Sequence, residues 1–243
     1  MKKIFVLFIV FFCIIFFFTN GITQTFFQQD EWNGFGLVIQ LVQGSWVDWF
    51  GLLSPSHFIP LSQFVWLVMY RLFGFEAQYF ALVALLLHAA ASVLVSRLGE
   101  IITKNTWVGL LTGFLFATNF RAAQAFTHMA IFPATLTGFI VIIVFLLFLF
   151  RIDGKKLFAR SHVIVFGGLF LLSMTFREDG LILPGLLIAY LVWFQPHAFS
   201  KKNIWFFVSF FGIVGAFVVF RVLLQLANPY AIDITGPGTL KMT

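Results

Sequence analysis

Apolar stretches at 4–19, 57–73, 77–96, 106–120, 129–150, 161–176, 181–195 and 203–226 alternate with short segments that hold most of the charge. Runs of this length predict helices that cross a bilayer. Several are only 15 or 16 residues long, so their ends must include flanking aromatics to span ~30 Å of hydrocarbon. Trp107, Trp193 and Trp205 stand at such ends, where an indole ring favours the interface. The stretch Gly36 to Leu53 has a different pattern. Gln40, Gln43, Gly44, Asp48 and Gly51 recur every three or four residues, a narrow polar stripe on an otherwise apolar helix. With Trp46 and Trp49 as anchors, it predicts a helix lying on the membrane surface.

The basic residues fix direction and decide the status of 57–73. If that segment does not cross, Lys2, Lys3, Arg97, Lys104, Arg151, Lys155, Lys156, Arg160, Lys201 and Lys202 share one side with only Glu100 and Asp153. If it crosses, eight of those ten are exported, against the positive-inside rule. The segment 57–73 is therefore expected along the outer surface, with Ser56 capping its helix and Pro60 in the first turn. The expected fold is an all-α polytopic membrane protein with seven transmembrane helices. Two juxtamembrane surface helices lie in a long first external loop, 20–76. Residues 1–226 form one membrane module with a cytoplasmic N-terminus. The polar segment 227–243, with Gly236-Pro237-Gly238, reads as an external loop or a truncated tail.

Composition agrees. The chain of 243 residues is 61% hydrophobic and 10% charged, with 37 Phe, and its mean hydropathy is +1.01. A soluble fold could not cover so much apolar surface with so few charges. The net charge of +6 does not point to nucleic acid, because no basic cluster is interleaved with polar aromatic loops. A single cysteine, Cys13 in the first apolar run, leaves no disulfide framework and no thiolate metal site. No small-x-small cleavage site follows that run, so it reads as an uncleaved first span.

Candidate chemistry gathers on the outer side. Asp30-Glu31 is the only acidic pair in the first half of the chain and follows the first span. His57 opens the surface helix, Arg121 and His128 flank a short external connection, and Arg177-Glu178-Asp179-Gly180 joins two spans. Taken singly, each has a bland reading: a solvated loop, an interfacial side chain, a self-neutralising turn. His88, mid-span, reads as a side chain hydrogen-bonded to a neighbouring helix. Together they suit transfer of a group from a lipid-linked phosphate. Arginine matches the leaving phosphate, and a carboxylate can take the acceptor's proton.

In order and spacing these motifs resemble the superfamily of integral membrane glycosyltransferases that use polyprenyl-phosphate sugars, which includes protein O-mannosyltransferases and tetratricopeptide-linked membrane mannosyltransferases. Asp30-Glu31 matches the acidic motif of the first external loop. His57-x-x-Pro60-Leu61, running to Phe73-Gly74, resembles the opening and close of the second surface helix. Leu87-His88-Ala89, and Arg177 to Gly180 with Leu183-Pro184, resemble the mannosyltransferase branch. The resemblance implies Asp30 as catalytic base supported by Glu31, with Arg121 and Arg177 on the donor phosphate. His57, His128 and Glu178 stand as further substrate-binding candidates. It implies a divalent metal in some branches only, and the absence of an Asp-x-Asp motif between Arg121 and His128 weakens the case for one. The expected partners are a polyprenyl-phosphate sugar, the bilayer and an unidentified acceptor. The later spans and soluble domain that complete the acceptor site in the superfamily have no counterpart here, so a truncated form or a partner chain is expected. The competing expectation is a non-catalytic scaffold or a flippase for lipid-linked sugars.

Overall fold

A computed structural model of the chain describes residues 2–18, 26–27, 32, 35, 39, 59–119, 132–152, 158–195 and 199–227, and the statements below concern these. Their regular structure is helical throughout. In order, the helices are α1 (Lys2–Phe18), α2 (Pro60–Phe73), α3 (Ala77–Thr103), α4 (Thr106–Ala117), α5 (Phe132–Arg151), α6 (Arg160–Phe176), α7 (Ile182–Phe194) and α8 (Ile204–Ala227). Short 3-10 turns, Glu178–Leu181 and Lys201–Asn203, precede α7 and α8.

Most boundaries fall within a few residues of the apolar runs, because charge and turn residues end both. Two differ. The third helix continues to Thr103 through Arg97 and Glu100, whose ion pair one turn apart keeps that polar turn helical. The second begins at Pro60 with Ile59 at the N-cap and no side-chain cap, which corrects the expected cap at Ser56. Proline lacks an N–H and has a helical φ, so it opens a helix without needing a capping acceptor. Asn105 does cap α4, its Oδ1 accepting from the amides of Trp107 and Val108 at 2.9 and 3.4 Å.

Three helices are long and apolar enough to cross a membrane: Ala77–Thr103, Ala134–Arg151 and Ile204–Leu224. The other apolar helices expected as spans are shorter; α4 has 12 residues and so rises only ~18 Å. Most of the surface helix expected at 36–53 lies outside the described residues.

The helices pack around two apolar cores. In the first, α3 presents Ala81, Ala84, Ala89 and Ala91 so that α1 and α4 approach closely. A Cβ at Gly109 would come within 2.7 Å of the Ser96 carbonyl oxygen, and one at Gly113 within 2.6 Å of Ser96 Cβ. The second core, from α5 to α8, is built of edge-to-face phenylalanines such as Phe145 on Phe166 and Phe158 on Phe206.

Contacts set helix directions. Gly113 meets Ser92 while Gly109 meets Glu100, so α3 and α4 are antiparallel. Phe145 on Phe166 and Phe148 on His162 make α5 and α6 antiparallel. Phe166 on Phe206 and Phe170 on Phe217 make α6 and α8 parallel. Through α2, Trp66 on Phe80 and Ser62 on Phe176 put the start of α3 and the close of α6 at one end, so the other end collects Arg97, Glu100, Lys104 and Arg151, with Lys3 at the start of α1. The opposite end collects the close of α6 and the starts of α3, α5 and α7, and α2 packs there. Its Ser62, Gln63, Trp66 and Met69 are buried, while Phe64, Val68 and Leu72 form an exposed apolar stripe.

Candidate functional site

The end away from the lysines holds an ordered polar loop. Helix α6 stops at Phe176, where Arg177 turns extended and its amide donates to the Ser173 carbonyl at 2.9 Å. The single 3-10 turn that follows needs glycine at its third position. A Cβ on Gly180 would lie 2.0 Å from Ser173 Oγ and 2.9 Å from Ser173 Cβ. The loop therefore sits directly on the last turn of α6.

Two ion pairs hold its charges, and only one of them closes the loop on itself as the sequence suggests. The Arg177 guanidinium donates from Nη1 to Thr135 Oγ1 in the first turn of α5. Its Nε lies 3.2 Å from Asp179 Oδ2. Glu178 instead accepts from Arg221 of α8, through Nε at 3.1 Å and Nη2 at 2.7 Å. Both of the loop's carboxylates are thus engaged by arginine. Among the described residues no three His, Cys, Asp or Glu side chains come together. The carboxylates to which the resemblance gives a metal in some branches, Asp30 and Glu31, lie outside the described residues.

Exposure separates the two arginines. The Arg177 and Asp179 side chains are 37% and 60% exposed, so water screens their attraction and an incoming anion can compete for the guanidinium. Arg221 is only 13% exposed and is held by two hydrogen bonds to one carboxylate oxygen. That pair is a brace between α8 and the loop, whereas Arg177 is the more exposed of the two guanidinium groups. Beside the brace is a cleft of about 240 Å³ lined by Met174, Leu181, Phe217, Val218 and Val222.

Helix α2 reaches the same loop. Ser62 Oγ donates to the Phe176 carbonyl at 2.8 Å, one residue before Arg177. On the neighbouring turn Trp66 joins an aromatic cluster with Phe35 at 4.9 Å and Phe80 at 5.2 Å between ring centroids. Phe27 meets Phe35 at 4.8 Å and Phe80 at 5.2 Å, both edge-on. Phe27 and Phe35 are buried, and in sequence they bracket Asp30-Glu31.

Of the seven residues selected from sequence, Arg177 and Glu178 are described, adjacent but with separate partners. Asp30, Glu31, His57, Arg121 and His128 lie outside the described residues. His88 is fully buried, and its Nε2 is 3.3 Å from the Ala117 carbonyl oxygen at the last turn of α4. It serves a helix end that lacks intrahelical donors, the structural role expected of it. Sequence reasoning missed Arg221, which looks like a charge near the close of the last span, and the aromatic bracket, whose rings are hidden among 37 phenylalanines. No family model, curated protein or solved structure matches the chain.

Proposed function

We propose that this chain is a multi-pass membrane glycosyltransferase that moves a sugar from a polyprenyl-phosphate donor to an acceptor on the extracytoplasmic face. In this reading the seven apolar helices cross the bilayer, the short ones extended by flanking residues, with the N-terminus cytoplasmic. Asp30 takes the proton of the acceptor hydroxyl, with Glu31 beside it. The acceptor oxygen bonds to the anomeric carbon as the bond from that carbon to the phosphate oxygen breaks. The bonding electrons leave on polyprenyl phosphate, an anion stable at neutral pH that needs no general acid. Arg121 and Arg177 stabilise its charge, and His57 and His128 contact substrate. Attack opposite the leaving group inverts the anomeric centre.

The supporting observation is the chain of contacts from Phe27 and Phe35 through Trp66 to Ser62 and Phe176. It ties the residues flanking the acidic pair to the surface helix, and that helix to the backbone beside Arg177. A base and a phosphate ligand far apart in sequence need such a link to act on one substrate.

The test is Asp30→Asn in reconstituted vesicles supplied with polyprenyl-phosphate sugars. Sugar transfer is expected to be lost while membrane insertion is retained. Unchanged turnover would exclude Asp30 as the base. A second reading, a non-catalytic scaffold or a flippase for lipid-linked sugars, draws on the mutual pairing of the loop's acids and arginines. It requires that wild-type chain transfers no sugar from any such donor.

A further inference from the structure

At the lysine-bearing end, α1 and α3 enclose an open groove of about 390 Å³ lined by Ile4, Phe5, Phe8, Ala90, Val93 and Leu94. The lining is apolar, and Ile4 and Phe5 remain 46% and 66% exposed, so the groove opens sideways, away from the bundle. It exists because Ala90 presents only a methyl group where α1 offers two phenylalanines.

Shape alone selects nothing in a membrane, because a hydrocarbon chain gains little by leaving other chains for an apolar wall. Selection has to come from the groove's end. On α3, Ala90, Leu94 and Arg97 follow one another at helical spacing along one face. Arg97 therefore stands one turn beyond the apolar lining. On α1, Lys3 directly precedes Ile4 of the groove lining. Lys104 closes α3 at the same end. Among the described residues near this mouth, Lys3, Arg97 and Lys104 face one carboxylate, Glu100, which Arg97 already engages. An apolar furrow between two helices that ends in excess positive charge fits an amphiphile with an anionic head.

We propose that the groove between α1 and α3 holds an acyl chain of an anionic glycerophospholipid whose phosphate rests against Lys3 and Arg97. The lipid would fill the gap between the two helices and join the first helix of the chain to α3. This site is separate from the Arg177 loop, at the other end of the assembly, and does not depend on the glycosyl-transfer reading.

The experiment uses purified full-length chain in mixed micelles of phosphatidylglycerol or phosphatidylcholine with matched acyl chains, with retained lipid counted by native mass spectrometry. Wild type is expected to retain phosphatidylglycerol preferentially, and the preference should fall as salt is raised. Lys3→Gln should weaken retention roughly fivefold, and Lys3→Gln/Arg97→Gln should abolish the preference. Ala90→Leu, which fills the groove and leaves the cations in place, should lower occupancy without altering the order of preference. Lys3 is exposed in the first turn of α1, so its substitution leaves the fold intact. Equal retention of both lipids by wild type, as for a groove occupied by another helix, would overturn the proposal. Undiminished phosphatidylglycerol on the double variant would do so too, as would displacement by polyprenyl phosphate at equal concentration.

Discussion

Arg221 of α8 gives two hydrogen bonds to one oxygen of Glu178, 43 positions earlier in the chain. The arginine is 13% exposed and the glutamate 29%, so neither charge can be freed to water without rearranging the loop or the helix. Removing one partner strands the other. Glu178→Ala is expected to destabilise the protein by about 1–3 kcal/mol. Adding Arg221→Leu should cost less than the sum of the two single changes. Thermal unfolding of the wild type, both single variants and the double variant completes the cycle, and strictly additive losses would show that the pair is not coupled.

Gly180 is fixed by space. An alanine methyl would stand 2.0 Å from Ser173 Oγ and 2.9 Å from Ser173 Cβ, a distance at which the turn or the end of α6 has to move. Gly180→Ala should cost about 1–3 kcal/mol and displace Arg177, three residues earlier. Adding Ser173→Ala removes the closer contact and should restore part of the stability. No recovery in the double variant would place the strain elsewhere.

Phe35 tests the aromatic link between α2 and the residues that flank the acidic pair in sequence. It is 2% exposed and meets Trp66, Phe75 and Phe80 at 4.9, 5.0 and 5.7 Å. Phe35→Ala leaves a large void in a closed cluster and should lower stability by about 3–5 kcal/mol. Phe35→Leu, which keeps most of the volume, should recover most of it. If glycosyl transfer depends on this anchorage, the alanine variant should lose turnover at temperatures where it is still folded, while the leucine variant retains it. Equal turnover in both would disconnect the cluster from the chemistry.

Most of the helices were legible because charge and turn residues bound the apolar runs. Charge, proline and asparagine at the edges of apolar runs mark where helices meet polar surroundings, as Pro60 and Asn105 do. His88 was legible for a related reason: a single polar ring among alanines and leucines must find a nearby backbone partner. Arg97 and Glu100 misled at the end of α3, since charge there extends a helix through its own ion pair. The partner of Glu178 was not legible. Arg177 and Asp179 are its sequence neighbours, yet a short 3-10 turn points successive side chains in different directions, and the parallel packing of α6 on α8 brings Arg221 alongside. Local sequence carries no record of that pairing. The glycines at 109 and 113 likewise acquire meaning only once Ser92 and Ser96 are known to face them.

Membrane orientation can be tested without any assay of function. The helix directions put Lys3, Arg97, Lys104 and Arg151 at one end, and the Arg177–Gly180 loop at the other. The positive-inside rule predicts that the first end is cytoplasmic. Cys13 is the chain's only cysteine and is exposed on α1, so labelling begins from Cys13→Ser. In that background Asp179→Cys, at a side chain 60% exposed, should react with a membrane-impermeant maleimide added outside intact cells. Lys155→Cys should react only after permeabilisation. Labelling of Lys155→Cys from outside would invert the orientation and move the Arg177 loop to the cytoplasm, away from any extracytoplasmic acceptor. Labelling of both positions from outside would mean that the segment from α6 to the loop does not cross, reducing the proposed count of seven spans. Only protection of 155 together with reaction at 179 keeps the proposed donor-facing loop where the acidic pair is expected to act.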